Sequence, residues 1–253
     1  MIRILLTGCN GRMGNAVINS VSENENCSIV AGIDVAGNNS SQFPVFTSID
    51  EFNGECDVIV DFSFHTATEG ILNYAMKNNI PVVVATTGHS AEETENIKNA
   101  SRSIPVFYSR NMSLGINLLI ALAKKTCQSL GTAIDNEIIE KHHNQKLDAP
   151  SGTALMIADA LKDTRDVETE YVYNRQPVKQ KRTPNEIGIH AVRGGTIVGE
   201  HEVIFAGKDE VITLSHSAAS RNVFAEGAVR AALFMVGKKA GLYDMNDIVN
   251  SII

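Results

Sequence analysis

From residue 1 to residue 109, short continuous apolar runs alternate with segments whose apolar positions recur at helical spacing. IRILLT (2–7) is the first run and ends at Gly8; GCNGRMG (8–14) leads into AVINSV, which carries a helical stripe. CSIVAGID (27–34), CDVIVDF (56–62), PVVVATTG (81–88) and IPVFYS (104–109) repeat the apolar pattern, with helical segments over 65–78 and in SAEETENIKNAS (90–101). Strands that are apolar at every position are buried on both faces, as in a parallel sheet covered by helices. The pattern predicts a doubly wound α/β domain.

After Ser109 the rhythm changes. Leu114–Leu130 is one long helical pattern closed by Gly131, and TAIDNEIIEKHH (132–143) alternates like a half-buried strand. ALMIADAL then predicts a helix with Ala154, Ile157, Ala158 and Leu161 inward, and the polar stretch 162–186 reads as loop-rich. TIVGEHEVIFAG (196–207) and DEVITLSHS (209–217) read as two strands whose short AGKD link implies an antiparallel hairpin. SRNVFAEGAVRAALFMVGKK (220–239) returns to helical spacing, with Phe224, Ala228, Ala231 and Met235 on one face. The expected organisation is a domain of residues 1–112 completed by 218–253. Residues 113–217 form a second, α+β domain with a mixed or antiparallel sheet, and hinges are expected near 109–113 and 216–221.

Composition narrows the classes. The 253 residues suffice for one large or two modest cores, and 43% hydrophobic with 20% charged is ordinary for a soluble protein. A formal net charge of −7 argues against a nucleic-acid surface. Cys9, Cys27, Cys56 and Cys127 are widely spaced without a CxxC pair, which reads as reduced thiols of a cytoplasmic protein. The apolar run at the N-terminus is too short for a signal peptide, and no apolar segment approaches the roughly 20 residues of a membrane span.

The glycines say what the first domain holds. Between a strand and a helix, Gly8 permits a tight turn, Gly11 admits a pyrophosphate to the backbone and Gly14 lets helix and strand pack closely. The helix N-terminus offers free amides to the phosphates. The spacing is G-x-x-G-x-x-G, with Asn10 where the usual fingerprint has its second glycine. Asp34, twenty residues past Gly14 at the end of the second strand, is placed to accept hydrogen bonds from a ribose. This is a Rossmann-type dinucleotide-binding pattern; a purely structural turn with a solvated Asp34 is the competing reading.

The chemistry of the second domain concentrates in EKHHNQKLDAPSGTAL (140–155). Ser151 is a natural N-cap, so the amides of Gly152 and Thr153 form an exposed first turn that binds anions, with the Thr153 hydroxyl as a further donor. His142, His143 and Lys146 come just before it. Histidine can donate a proton near neutral pH, and lysine can fix a carboxylate. Together they describe a pocket for a small acid that is protonated during reaction. Metal ligation by His142 or His143 with His190, His201 or His216 lacks a ligand spacing such as HExxH, so no metal is expected. A solvated loop with a helix cap is the other competing reading.

GCNGRMG, ATTG, EIIEKHHNQKLDAPSGTA, VRGGTIVGEH and AEGAVRAAL closely resemble the 4-hydroxy-tetrahydrodipicolinate reductase (dihydrodipicolinate reductase) family, nearly end to end. The resemblance implies a nicotinamide-dependent reductase of the diaminopimelate route to lysine, assembled as a homotetramer through the sheets of the substrate domain. It implies His142 as general acid with Lys146 assisting, and His143, Ser151, Gly152 and Thr153 around the carboxylates of a small dicarboxylate substrate. It places Gly8, Cys9, Asn10, Gly11, Arg12 and Met13 under the pyrophosphate and Asp34 on the ribose. Ala85, Thr86, Thr87, Ser109, Arg110, Asn111 and Met112 would line the nicotinamide. Arg110 and Met112 depart from the small and aromatic residues common there. Asp34 is followed by VAGNNSSQ without a cation, which favours NADH, while Arg12 leaves some use of NADPH open. Two alternatives stay open: another nicotinamide-dependent dehydrogenase of a small amino or dicarboxylic acid, and a non-catalytic nicotinamide sensor.

Overall fold

A computed structural model describes residues 1–37, 42–131, 134–177 and 179–252. The chain divides into two compact units, residues 1–114 with 222–253, and residues 115–221.

The first unit holds β1 (Ile2–Thr7), α1 (Arg12–Ser22), β2 (Cys27–Ile33), β3 (Val45–Phe46), β4 (Val58–Asp61), α2 (Thr68–Asn78), β5 (Val82–Val84), α3 (Ala91–Ala100) and β6 (Pro105–Tyr108). Their order in the sheet is β3-β2-β1-β4-β5-β6, and every neighbouring pair is parallel. The order reverses between β1 and β4, the switch point of a doubly wound sheet. Successive strand residues face opposite ways, so Ile4, Leu6, Val58 and Val60 pack under Val17, Ala228 and Ala232. Leu5, Ile59, Val82 and Val84 pack on the other face against Ile71, Leu72 and Ile97. Truncating one of these fully buried side chains to alanine costs about 2–5 kcal/mol.

The second unit contains nearly all of α4 (Leu114–Leu130), then β7 (Asp135–His142), α5 (Gly152–Lys162), β8 (Glu170–Val172), β9 (Glu186–Arg193), β10 (Gly199–Ala206) and β11 (Val211–Ala218). The sheet order is β11-β10-β7-β9-β8. β10 runs antiparallel to both β11 and β7, while β9 is parallel to β7 and to β8, so the sheet is mixed. One face is covered by Ile116, Leu119, Ala123, Ile157, Ala158 and Leu161, which meet Ile138, Ile187, Val203 and Phe205. Ala154, Ile157, Ala158 and Leu161 are all fully buried, as the helical spacing required.

The chain then returns to the first unit through α6 (Asn222–Met235), β12 (Gly241–Tyr243) and α7 (Met245–Asn250). β12 pairs with β6 and extends the parallel sheet to seven strands.

Several elements escaped the sequence reading. The stretch 162–186 is not loop throughout: it contains β8, and β9 starts at its last residue. β8 is three residues long, and β9 (EIGIHAVR) interrupts its apolar run with Gly188 and His190, so neither gives a readable period. β3, β12 and α7 are likewise too short to show one. Residues 132 and 133 of the TAIDNEIIEKHH segment, 38–41 after Asp34, 178 and 253 lie outside the described residues.

Candidate active site

The glycine turn of the first unit is a cradle that side chains would fill. Gly8 adopts φ +72°, and a Cβ there would lie 2.5 Å from the Phe62 carbonyl oxygen. A Cβ on Gly14 would lie 2.3 Å from the Gly8 oxygen. α1 begins with Gly11 as N-cap, with no side-chain cap and no carboxylate in its first turn. Its leading amides are therefore oriented for a phosphate pair, which fits a dinucleotide. Arg12 is exposed in that first turn. Cys9 points inward, where burial pushes its thiol up to about 11, so only its backbone belongs to the turn.

Asn10 makes one contact that any residue could make and one that a glycine could not. Its backbone N–H donates to Asp34 Oδ2 (3.0 Å), and its side-chain amide donates to the Gly37 carbonyl (2.8 Å). Asp34 Oδ1 accepts from the Ala36 amide (3.1 Å). The carboxylate at the end of β2 is thus held by backbone donors on both sides, beside the glycine turn.

Beyond the ends of β4, β5 and β6 lies a cavity of about 530 Å³ lined by Met13, Ala85, Thr86, Thr87, Ser109, Arg110, Asn111 and Met112. Phe62, Ser63, Phe64, His65 and Phe224 complete it, and the sequence reading did not name them for the site. Four of these belong to DFSFHT, which follows the carboxyl end of β4, where doubly wound sheets take their ligands; that position was the available signal. Asp61 anchors this rim. Fully buried, it accepts from the Thr7 hydroxyl (2.6 Å) and the Ser63 amide (2.9 Å), tying the ends of β1 and β4 together.

In the second unit, alternation along β7 turns Asn136, Ile138, Glu140 and His142 to the buried side. Two ionisable groups on an inward face must be satisfied. Glu140 is fully buried and accepts four hydrogen bonds: from His142 Nδ1 (2.6 Å), from the Ser151 amide (3.0 Å) and from both terminal nitrogens of Arg193 (2.7 and 2.8 Å). Burial alone would raise its carboxyl, but Arg193, His142 and the Ser151 amide together hold it below the usual carboxylate range. Burial lowers His142 and Glu140 pulls it back up; Lys146 and Arg193 push it down again, and the net shift is downward.

The turn after β7 is tethered. The Gly194 amide donates to the His142 carbonyl (2.9 Å), the Asn144 amide to the Gly195 carbonyl (3.2 Å), and Arg193 also reaches the Asp148 carbonyl (2.6 Å). Lys146 pairs with the Asp148 carboxylate at 2.9 Å, chiefly through this contact holding Asp148 below its ordinary range. His142, Lys146 and Ser151 are thereby joined in one network through Glu140, Arg193 and Asp148. His143 is half-buried at its margin.

Ser151 is the N-cap of α5: its hydroxyl accepts from the Ala154 amide (3.1 Å) and bonds His201 Nε2 (3.2 Å). It is buried, so the exposed part of this turn is Gly152, whose missing side chain would meet open space, with Thr153 half-buried beside it. His201 lies edge-on to His142 with ring centroids 5.2 Å apart, and burial pulls it down to about 4. Glu140, Arg193 and His201 were not singled out for these roles in the sequence. For Glu140 the signal was its place two residues before His142 on an alternating strand.

The arrangement offers a glycine-turn cradle on one unit, and on the other a carboxylate-held histidine beside a lysine and a helix N-terminus whose Gly152 amide faces the Asp148 carboxylate. Comparisons with known proteins place both units in one family. Residues 2–112 match the family described as "Dihydrodipicolinate reductase, N-terminus", and residues 115–249 match "Dihydrodipicolinate reductase, C-terminus". The 4-hydroxy-tetrahydrodipicolinate reductase of Caldanaerobacter subterraneus subsp. tengcongensis is 54% identical over 249 residues, 98% of each chain. That of Clostridium tetani is 48% identical over 251 residues, 99% of this chain and 98% of the relative. Among solved structures, a dipicolinate-bound dihydrodipicolinate reductase from Paenisporosarcina sp. TG-14 superposes with a TM-score of 0.84 at 25% identity, covering 98% of this chain and 99% of that one. This chain belongs to the dihydrodipicolinate reductase family.

Proposed function

We propose that this chain reduces 4-hydroxy-tetrahydrodipicolinate to tetrahydrodipicolinate, with loss of water, and that His142 is its proton donor. The observation that carries the reading is the set His142, Lys146 and the Gly152–Thr153 turn on one connected network, with Asp148 bridging Lys146 and the Gly152 amide. A reduced nicotinamide held at the glycine turn of the first unit would supply the hydride needed at the ring carbon that loses its hydroxyl. His142 gives a proton to the adjacent ring carbon, so one hydride, one proton and one released water balance the step. Gly152, Thr153 and His143 hold the two ring carboxylates, and Lys146 offsets their charge, exchanging Asp148 for substrate. Gly8, Asn10, Gly11, Arg12 and Met13 would hold the pyrophosphate and Asp34 the ribose, with Ala85, Thr86, Thr87, Ser109, Arg110, Asn111 and Met112 around the nicotinamide.

NADH is the favoured cofactor, because Asp34 accepts from ribose hydroxyls and repels a 2′-phosphate; Arg12 offers NADPH partial compensation. Assembly as a homotetramer through the mixed sheet accompanies this reading, supported by β11, an edge strand exposed or half-exposed along its whole length.

The test is oxidation of the reduced nicotinamide coupled to freshly generated dihydrodipicolinate synthase product. Turnover is expected in the wild type. In His142→Gln turnover should fall about 10²–10⁴-fold with reduced-cofactor affinity little changed, the usual loss on removing a general acid. No turnover in the wild type would overturn the activity; near-wild-type turnover in the variant would overturn the role of His142.

A further inference from the structure

We propose that Glu140 is a positioning residue for the proton donor: it fixes the His142 ring with the proton on Nδ1, so that Nε2 is the nitrogen that delivers to substrate. The inference rests on the assignment of His142 above.

Four observations converge on it. Glu140 Oε2 lies 2.6 Å from Nδ1, a charge-assisted contact that selects the Nδ1–H form of the neutral ring. The Ser151 amide and both terminal nitrogens of Arg193 can only donate, so they fix Glu140 as an ionised carboxylate, and an acceptor-only carboxylate facing Nδ1 requires the ring to donate from that nitrogen. Arg193 grips both oxygens, and the same guanidinium bonds the Asp148 carbonyl, so the carboxylate is fixed relative to the loop carrying Lys146. Gly199 lies against the far side of the ring, where a Cβ would crowd Nε2 at 3.1 Å. One nitrogen is therefore clamped, and the strand that faces the other has no side chain at that point.

In a carboxylate–histidine pair of this kind the acid orients the ring and does not itself transfer the proton. With Nδ1 already carrying a proton, protonation at Nε2 makes an imidazolium that Glu140 stabilises. The other charged or titratable groups facing His142 are Arg193 from β9, His201 from β10 and Lys146 from the following loop. Arg193 and Lys146 oppose its protonation. Glu140 is the group that favours it.

Two measurements on the intact enzyme decide the matter. In long-range proton–nitrogen correlation spectra, with His142 assigned by its loss in His142→Gln, the neutral ring should be the Nδ1–H tautomer; an Nε2–H tautomer overturns the inference. In Glu140→Gln, kcat should fall roughly 10–100-fold, within the usual worth of a general acid, while the Michaelis constants change less than about twofold. The limb of the kcat profile that falls with rising pH should move to lower pH, because the imidazolium has lost its counter-charge. Glu140→Asp, which keeps the charge, should restore the wild-type limb. An unmoved limb in Glu140→Gln overturns the inference, as does wild-type turnover. Turnover lost in His142→Gln but kept in Glu140→Gln would sink the inference alone, whereas turnover kept in His142→Gln would sink the donor assignment beneath it. If Glu140→Gln does not fold, the tautomer of the wild-type ring still supports or overturns the inference by itself.

Discussion

Gly199 lies against the ring of His142: a Cβ at this glycine would stand 3.1 Å from Nε2 and 3.5 Å from Cδ2. The ring has nowhere convenient to go, because Glu140 holds its opposite nitrogen. Gly199→Ala should therefore lower kcat by about tenfold or more through a displacement of a few tenths of an ångström, since misplacements of that order disturb proton delivery. Strand pairing is untouched, so the thermal midpoint should move little. Wild-type kcat in Gly199→Ala would show that Nε2 does not face this strand in the reacting enzyme.

Lys146 should report on substrate charge. It pairs with Asp148 at 2.9 Å, and a bound substrate carboxylate is expected to take that place. Lys146→Ala is expected to damage both kcat and the substrate Michaelis constant, whereas Thr153→Val should mainly raise the latter. Pyridine-2,6-dicarboxylate should compete with substrate and raise the thermal midpoint of the wild type. Titration calorimetry with Lys146→Ala should then show weaker binding of the same compound, and equal binding would remove Lys146 from the clamp.

Asp34 should set the choice of nicotinamide. The Asn10 and Ala36 amides hold its carboxylate at the end of β2, where a 2′-phosphate would meet like charge. NADH is expected to exceed NADPH in kcat/KM by roughly tenfold, the scale of a modest like-charge clash. Asp34→Ser should shrink that ratio, and Arg12→Ala should enlarge it. Equal ratios in all three proteins at low salt would mean that neither residue reads the ribose.

His201 should make the second unit sensitive to acid. Its pKa falls from 6.5 to about 4 because burial disfavours the imidazolium. The folded form thus binds this proton less readily than the unfolded chain. The stability contributed by the neutral ring is complete above pH 6.5 and lost progressively as pH falls toward 4, about 3 kcal/mol in all. Thermal midpoints measured across that window should fall less steeply in His201→Gln, which retains an amide for Ser151. Identical slopes would mean that His201 is not the titrating group.

How much of this could be read from the chain depends on the length over which each signal accumulates. The strands β1, β2, β4, β5 and β6 and the face of α5 follow from repeated apolar spacing, and the structure has them. β9 did not show itself, because Gly188 and His190 break its pattern while its neighbours in space supply the burial. The glycine cradle was legible since Gly8 and Gly14 answer to local backbone geometry. Glu140 and Arg193 were not paired in advance, because 53 residues separate them and only the β7–β9 register brings them together. The cavity beyond β4, β5 and β6 was half legible: Thr86 and Asn111 stand out in the sequence, while Phe64 and Phe224 carry no polar chemistry to attract notice.

That register has a consequence for where this chain tolerates a change of length. β7 and β9 run side by side with Glu140 opposite Ala191 and His142 opposite Arg193. Side chains alternate faces, so one residue inserted or deleted inside β9 would turn the 193 position away from Glu140 and strand a buried carboxylate. The β10–β11 hairpin is a different case. Its tip at Lys208 and Asp209 is exposed, and the strands run about 23 Å from there to Gly199 at the histidine end of the sheet. A tag or loop spliced into the tip should leave His142 undisturbed, while a single codon added to β9 removes the arginine that fixes Glu140.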